Sequence, residues 1–100
     1  MISIEKPESN EREIVGQWVE VNGKVVGDAV CERIDSLTET HLEKIGFSEY
    51  GAWETLYRDP GDGRFWERNY PHGEWHGGGP PALINLSEAE AKDKYPDLFK

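Results

Sequence analysis

The sequence predicts an α+β fold, with a small, mainly antiparallel sheet of four to five strands, one longer amphipathic helix and a short C-terminal helix. Three observations lead to this prediction. Turn-forming residues separate strand-like runs at positions 22–23 and 59–63. Apolar residues recur at helical spacing between positions 28 and 41. A capping sequence at Ser87 indicates the start of a second helix.

Residues 1–12 are predicted to form a mobile arm, because they are polar, include Pro7 and show no periodicity. Residues 13–100 are predicted to form a single domain, since a chain of 100 residues is close to the commonest domain size. The only cysteine, Cys31, excludes an internal disulfide and a multi-cysteine zinc site. The domain therefore depends on its apolar core.

A first hairpin is predicted over residues 18–26, where Asn22 and Gly23 lie between two valine-rich runs. Both central residues of a type I′ turn need positive φ, which Asn and Gly adopt most readily.

The longer helix is predicted from Asp28, its N-cap, to about His41, with Val30, Ile34 and Leu37 on one face. At about 100° per residue, four acidic residues form a stripe on the opposite face. This acidic stripe consists of Asp28, Glu32, Asp35 and Glu39. Like charges four positions apart destabilise a helix by roughly 0.2–0.5 kcal/mol per pair, and a basic partner would relieve the repulsion. The alternative is an ordinary solvated face.

After this helix, residues 42–48 can open a strand, and a second hairpin follows. Residues 53–58 and 64–70 are rich in aromatics, and the turn between them, DPGDG, contains one Pro and two Gly. Apolar side chains occupy both alternating faces, which indicates central strands covered on each side or one face reserved for a partner. The next segment, PHGEWHGGGPP, is predicted to be a loop.

The last strand is predicted at residues 82–86. Ser87 and Glu90 form a capping box for the short C-terminal helix, and Leu86 and Ala91 can pack as a hydrophobic staple. The helix is predicted to end at Tyr95, before Pro96.

Twenty acidic and eleven basic side chains give a net charge of −9, which repels nucleic acids and anionic membranes and speeds encounter with basic proteins. We therefore expect neither nucleic acid nor membrane as a partner, although the charge could also serve solubility alone. The sequence contains no apolar stretch of the ~18 residues that a membrane span needs. It also begins without the pattern of a secretory signal, so a cytoplasmic location is expected.

A metal site is suggested by His72, Glu74 and His76, but no third rigid ligand accompanies the two imidazoles. We expect no metal and no cofactor, and small-ligand or metal binding by the His72–His76 loop remains the alternative function.

No enzymatic activity is expected either, because no Ser or Cys lies in a nucleophile motif. Among the carboxylates of the second hairpin, Asp59 and Asp62 are explained as turn formers. Glu67 can pair with Arg58 or Arg64 across the strands. An enzyme would instead need a concave pocket with perturbed carboxylates near this hairpin.

The tryptophan-rich hairpin, its DGR-aromatic-WE core and the HGGGPP loop resemble the Immunity protein 27 family of bacterial polymorphic toxin systems. The resemblance implies a cytoplasmic protein, encoded next to a toxin, that binds the toxin domain and blocks it. It implies no catalytic residue. The residues that match motif positions, and that can serve the fold instead, are Asp62, Gly63, Arg64, Trp66, Glu67, His76, Gly77, Gly78 and Gly79.

The expected partner is thus a cognate toxin domain with a basic active-site face, and a nuclease is compatible with it. Because exposed ion pairs contribute only about 0.2–1 kcal/mol each, we expect aromatic anchors besides the acidic stripe. The predicted contact residues are Asp28, Glu32, Asp35, Glu39, Trp66, Glu67 and Trp75.

Overall fold

The computed structural model describes residues 7–8, 10–47, 54–71 and 79–99. In these ranges the chain forms a five-stranded antiparallel sheet, a separate two-stranded sheet, one longer helix and a short C-terminal helix. The predicted α+β class is therefore confirmed.

Seven strands make up the two sheets. They are β1 (Glu13–Val15), β2 (Trp18–Val21), β3 (Lys24–Gly27), β4 (Glu43–Phe47), β5 (Thr55–Arg58), β6 (Phe65–Asn69) and β7 (Ala82–Leu86). The main sheet has the order β1-β7-β6-β5-β4, so β6 is its central strand. The short strand β1 was not predicted, because three residues are too few to show an alternating pattern.

The first hairpin forms as predicted, but β2 and β3 pair only with each other and make the two-stranded sheet. At its turn, Asn22 has φ 52° and Gly23 has φ 78°. These are the positive values that a type I′ turn requires, which explains the Asn-Gly pair.

The longer helix starts at α1 (Ala29–Ser36) and continues as a π-helical segment, Leu37–His41. The Asp28 carboxylate accepts a 3.0 Å hydrogen bond from the Cys31 backbone N–H, which confirms the predicted N-cap. In the last turns, the hydroxyls of Thr38 and Thr40 donate to backbone carbonyls one turn earlier. Such bonds weaken a regular α-helix, in agreement with the wider π geometry.

The C-terminal helix α2 (Glu88–Lys94) begins with the predicted capping box. The Glu90 N–H donates to the Ser87 hydroxyl at 3.1 Å, and the Ser87 N–H donates to the Glu90 carboxylate at 2.9 Å. A short 3₁₀ helix, Pro96–Phe99, follows α2.

Helical layers cover both faces of the main sheet. On one face, α1 contributes Ile34 and the π segment Leu37 to a core cluster completed by Ile14, Leu42, Tyr57, Trp66 and Leu83. On the other face, α2 and the residue that follows it contribute Ala91 and Tyr95, which pack with Leu56 and with partly buried Ile45, Phe65, Leu86, Leu98 and Phe99. The strands of the second hairpin are therefore covered on both faces, and neither face is reserved for a partner.

None of the helices in the described ranges combines the length and the apolar composition that a bilayer crossing demands.

Candidate functional site

The acidic stripe lies on the outer face of the longer helix, opposite the buried Ile34 and Leu37. Its members differ in what they do. Asp28 is the helix N-cap, and its pKa is lowered because backbone N–H donors, chiefly that of Cys31, outweigh the opposing effect of burial. Asp28 therefore stabilises the helix.

Asp35 is tied to the main sheet. Its carboxylate accepts a 2.9 Å bond from the Arg68 guanidinium of β6, and the same guanidinium donates to the Thr38 hydroxyl at 3.1 Å. The charge of Asp35 is thus balanced within the protein. Glu32 and Glu39 are exposed and form no ion pair with any residue in the described ranges. These two glutamates are the members of the stripe that remain available to a partner.

Trp66 lies at the centre of the core and is 0% exposed. One ring face is close to the Arg64 guanidinium, whose central carbon is 4.9 Å from the ring centroid. A partner could reach this ring only if the helix α1 moved off the sheet. In this structure the ring packs in the core and stabilises the fold, and contact of Trp66 with a partner stays a prediction. Trp75, the second expected anchor, lies outside the described residues.

Glu67 is also buried, on the face of the sheet that α2 covers. Its carboxylate accepts bonds from the Tyr95 hydroxyl at 2.7 Å, the Lys94 ammonium at 2.8 Å and the Asn69 amide at 3.0 Å. Burial acts to raise the pKa of Glu67, but these three bonds outweigh it and the pKa is lowered. The predicted pairing with Arg58 or Arg64 is wrong, because the Glu67 carboxylate bonds to Tyr95, Lys94 and Asn69 instead. Glu67 consequently joins α2 to the sheet.

The turn of the second hairpin confirms the predicted role of its aspartates. Asp59 accepts a 2.7 Å bond from the Gly61 N–H, and Asp62 accepts one of 3.0 Å from the Arg64 N–H. Gly63 has φ 79°, which disfavours any residue with a Cβ. The matching motif positions 62 and 63 thus shape the turn.

Arg64 binds the chain segment that precedes strand β1. Its guanidinium donates to the backbone carbonyls of Glu11 at 2.7 Å and Glu8 at 3.0 Å, and pairs with Asp62 at 2.7 Å. The Glu11 carboxylate in turn pairs with Arg33 at 2.7 Å, which lowers the pKa of Glu11 to about 2. Within the range predicted to be a mobile arm, Glu8 and Glu11 therefore contact the rest of the protein. Residues 1–6 and 9 lie outside the described residues.

The first hairpin exposes apolar side chains that were predicted only to form its strands. Val21 is 50% exposed and Val25 is 66% exposed, and Trp18, Val19 and Val26 are exposed as well. The sequence gives no signal of this exposure, because valine-rich runs are typical of buried strands.

An open cavity of about 470 Å³ borders the second hairpin, where an enzyme would need its pocket. Arg58, Asp62, Arg64 and Ser87 are among the residues that line it. The pKa of Asp62 is lowered, because bonds from Arg64 outweigh its slight burial. The charged form of this carboxylate is thus stabilised by its pairing with Arg64.

In the described ranges, no three His, Cys, Asp or Glu side chains come together as metal ligands. His72, His76, Gly77 and Gly78 fall outside those ranges. Gly79, the last of the three glycines, is buried and has φ 73°. Because positive φ is unfavourable for residues with a Cβ, glycine is favoured at this position.

Comparison with models of known protein families matches residues 20–87, more than half of the chain, to the family described as Immunity protein 27. Comparison with curated proteins and with solved structures finds no match to this chain.

Proposed function

The chain belongs to the Immunity protein 27 family, and on that premise we propose that it binds a cognate toxin domain and neutralises it, protecting the bacterial cell that makes it. The observation that carries this proposal beyond the family is a pair of exposed glutamates on the outer face of the longer helix, Glu32 and Glu39, which form no ion pair within the described ranges.

The charge distribution supports a basic partner. With a net charge of −9, the protein attracts cationic surfaces over several ångströms and speeds productive encounter with them. Glu32 and Glu39 are seven positions apart, so their side chains are separated by roughly 10 Å along the helix. Two basic groups at that spacing on a toxin domain would match them.

Charge alone does not make the complex tight, because exposed ion pairs contribute only about 0.2–1 kcal/mol each. Apolar contact must supply most of the affinity. In the proposed mechanism, the acidic surface brings the toxin to this protein, and apolar contacts then hold it so that its active-site face is occluded. A nuclease is a compatible target, because its substrate-binding cleft is cationic.

The proposed inhibition is stoichiometric and takes place in the cytoplasm, where the toxin would otherwise act. Carboxylates that could serve catalysis are engaged in structural bonds: Asp59 and Asp62 in the turn, and Glu67 beneath α2. Binding therefore explains the molecule better than turnover does.

The test is co-expression with the product of the adjacent upstream gene in a bacterial host. We expect growth arrest by that product alone, restored growth on co-expression, and co-purification of the two proteins. Rescue without a complex would indicate that the toxin is inactivated by another route, and failure to rescue would contradict the proposal. A variant of an exposed residue on the α2 side, Asp93→Lys, serves as the control that should rescue fully.

A further inference from the structure

We propose that the apolar hairpin, residues 18–27 with the strands β2 and β3, inserts into a cleft of the toxin domain and supplies the apolar anchor of the complex. This inference rests on the proposed function and adds to it the contact surface and the shape of the partner.

Both faces of the apolar hairpin carry exposed apolar groups. In the observed register, Val19 lies opposite Val26 and Val21 lies opposite Lys24, so these side chains share one face. The other face contains Trp18 and Val25. All five apolar side chains are exposed.

The hairpin is fixed at its base, and no described part of the chain covers it beyond that point. The Asp28 N–H donates to the Gln17 carbonyl at 3.0 Å, which closes the base. There Gly27 packs against Cys31, since a Cβ on Gly27 would come within 2.9 Å of the Cys31 Cβ. Farther out, no other strand in the described ranges pairs with β2 or β3. A two-stranded sheet is only marginally stable in water by itself.

An exposed apolar patch of this kind is typical of an interaction site in a protein that is otherwise strongly polar. Here the patch is two-sided. A flat partner surface would cover one face and leave the other in water, whereas a cleft contacts both. A cleft is also where an enzyme binds its substrate, so an inserted hairpin would block access directly.

Charge favours a cationic partner over a second copy of this chain. Two copies would each bring a net charge of −9 to the contact, and that repulsion opposes self-association. Acidic residues accompany the apolar ones: Glu20 lies on the hairpin itself, and the exposed Glu32 lies one turn into the helix that follows it. A cleft with apolar walls and a basic rim fits this combination.

The test is a triple variant, Val19→Thr, Val21→Thr and Val25→Thr. Thr has nearly the shape of Val and keeps the β-branching that strands favour, so the hairpin should remain folded. The probe is the toxin domain encoded by the adjacent upstream gene, carried as an inactive variant. We expect its affinity for the triple variant to fall by about tenfold or more, because apolar groups at the centre of an interface dominate binding.

The matched control is Phe47→Thr. Phe47 is 51% exposed on β4, the edge strand at the far side of the sheet from β1, which leads into the hairpin. This variant should bind the probe as the wild type does. Equal affinity of the triple variant and the wild type would overturn the inference alone, whereas a wild type that fails to bind would overturn the proposed function.

Hydrogen exchange on the wild-type complex tests the inference without any substitution. Amides of residues 18–27 should exchange at least about tenfold more slowly when the probe is bound. Unchanged exchange there, with protection elsewhere, would contradict hairpin insertion. Light scattering of the free protein is the last check: a dimer that the triple variant abolishes would assign the hairpin to self-association and overturn the inference.

Discussion

The Tyr95 hydroxyl donates a 2.7 Å hydrogen bond to the buried carboxylate of Glu67, and so connects the end of α2 with the central strand β6. The neighbouring Lys94 bonds the same carboxylate at 2.8 Å and also reaches Glu54 at 2.6 Å. Burial and the adjacent Glu67 charge raise the pKa of Tyr95, so its hydroxyl keeps its proton and remains a donor. Glu67, which matches a position of the family motif, thus joins α2 to the sheet.

Removing this hydroxyl should destabilise the protein. Tyr95→Phe leaves the ring in place but takes one donor from a buried, charged acceptor, so we expect a loss of about 1–3 kcal/mol in the free energy of unfolding. Urea denaturation measures it. An unchanged midpoint would show that water replaces the hydroxyl.

Acid should weaken the anchoring of the N-terminal segment. The pKa of Glu11 falls from 4.5 to about 2 in the folded protein, mainly through the Arg33 hydrogen bond. A depressed folded pKa contributes stability above the unfolded value, and that contribution is lost as the pH falls from 4.5 towards about 2.

Glu11→Gln removes this contribution at all pH values. The difference in melting temperature between the wild type and this variant should therefore be largest near neutral pH and should shrink below pH 4.5. A constant difference across this range would contradict the assignment.

Arg64 should prove irreplaceable by Lys. The guanidinium donates to two backbone carbonyls and one carboxylate at once, which a single ammonium cannot reproduce. Arg64→Lys should release the segment at Glu8 and Glu11, seen as faster amide exchange at residues 10–12 and a loss of about 1–3 kcal/mol in stability. Arg58→Lys, an exposed change in the same hairpin, is the control and should leave both unchanged.

Reversing the charges of the exposed Glu32 and Glu39 should slow association with the toxin. For Glu32→Lys with Glu39→Lys, we expect the association rate at low salt to fall by about tenfold or more. Asp35 is left intact, because its reversal would place a lysine beside Arg68 and disturb the fold.

The control for this pair is Glu13→Lys with Asp93→Lys, which changes the net charge equally on the α2 side of the sheet. Stopped-flow kinetics should separate the two variants. An equal loss of rate in both would assign the effect to overall charge and remove the helix face from the interface.

Local signals made much of the fold predictable. The Asn22-Gly23 turn, the Asp28 cap and the Ser87 capping box depend on residues within three positions of one another, and each is observed as predicted. The contacts of Arg64 were not predictable in this way, because Glu8 and Glu11 are more than fifty positions away along the chain.

The candidate site was only partly predictable for the same reason. Helical periodicity places the acidic stripe correctly, but it does not reveal that Arg68 balances Asp35. The aromatic pattern identifies the strand that contains Trp66 without showing that α1 seals that ring from solvent. Conversely, the valine-rich runs that contain Val21 and Val25 predict a hairpin, and only the topology shows that no layer in the described ranges covers these two side chains.

Because helices cover both faces of the main sheet, the side chains of the core and the four that we propose to contact a toxin are separate sets. Substitutions at Val21, Val25, Glu32 or Glu39 disturb none of the core clusters. Under the proposed function, a lineage that meets an altered toxin can change these positions one at a time and keep its scaffold intact. Binding specificity can thus change with little loss of folding stability, which suits the coevolution of a toxin with the protein proposed to neutralise it.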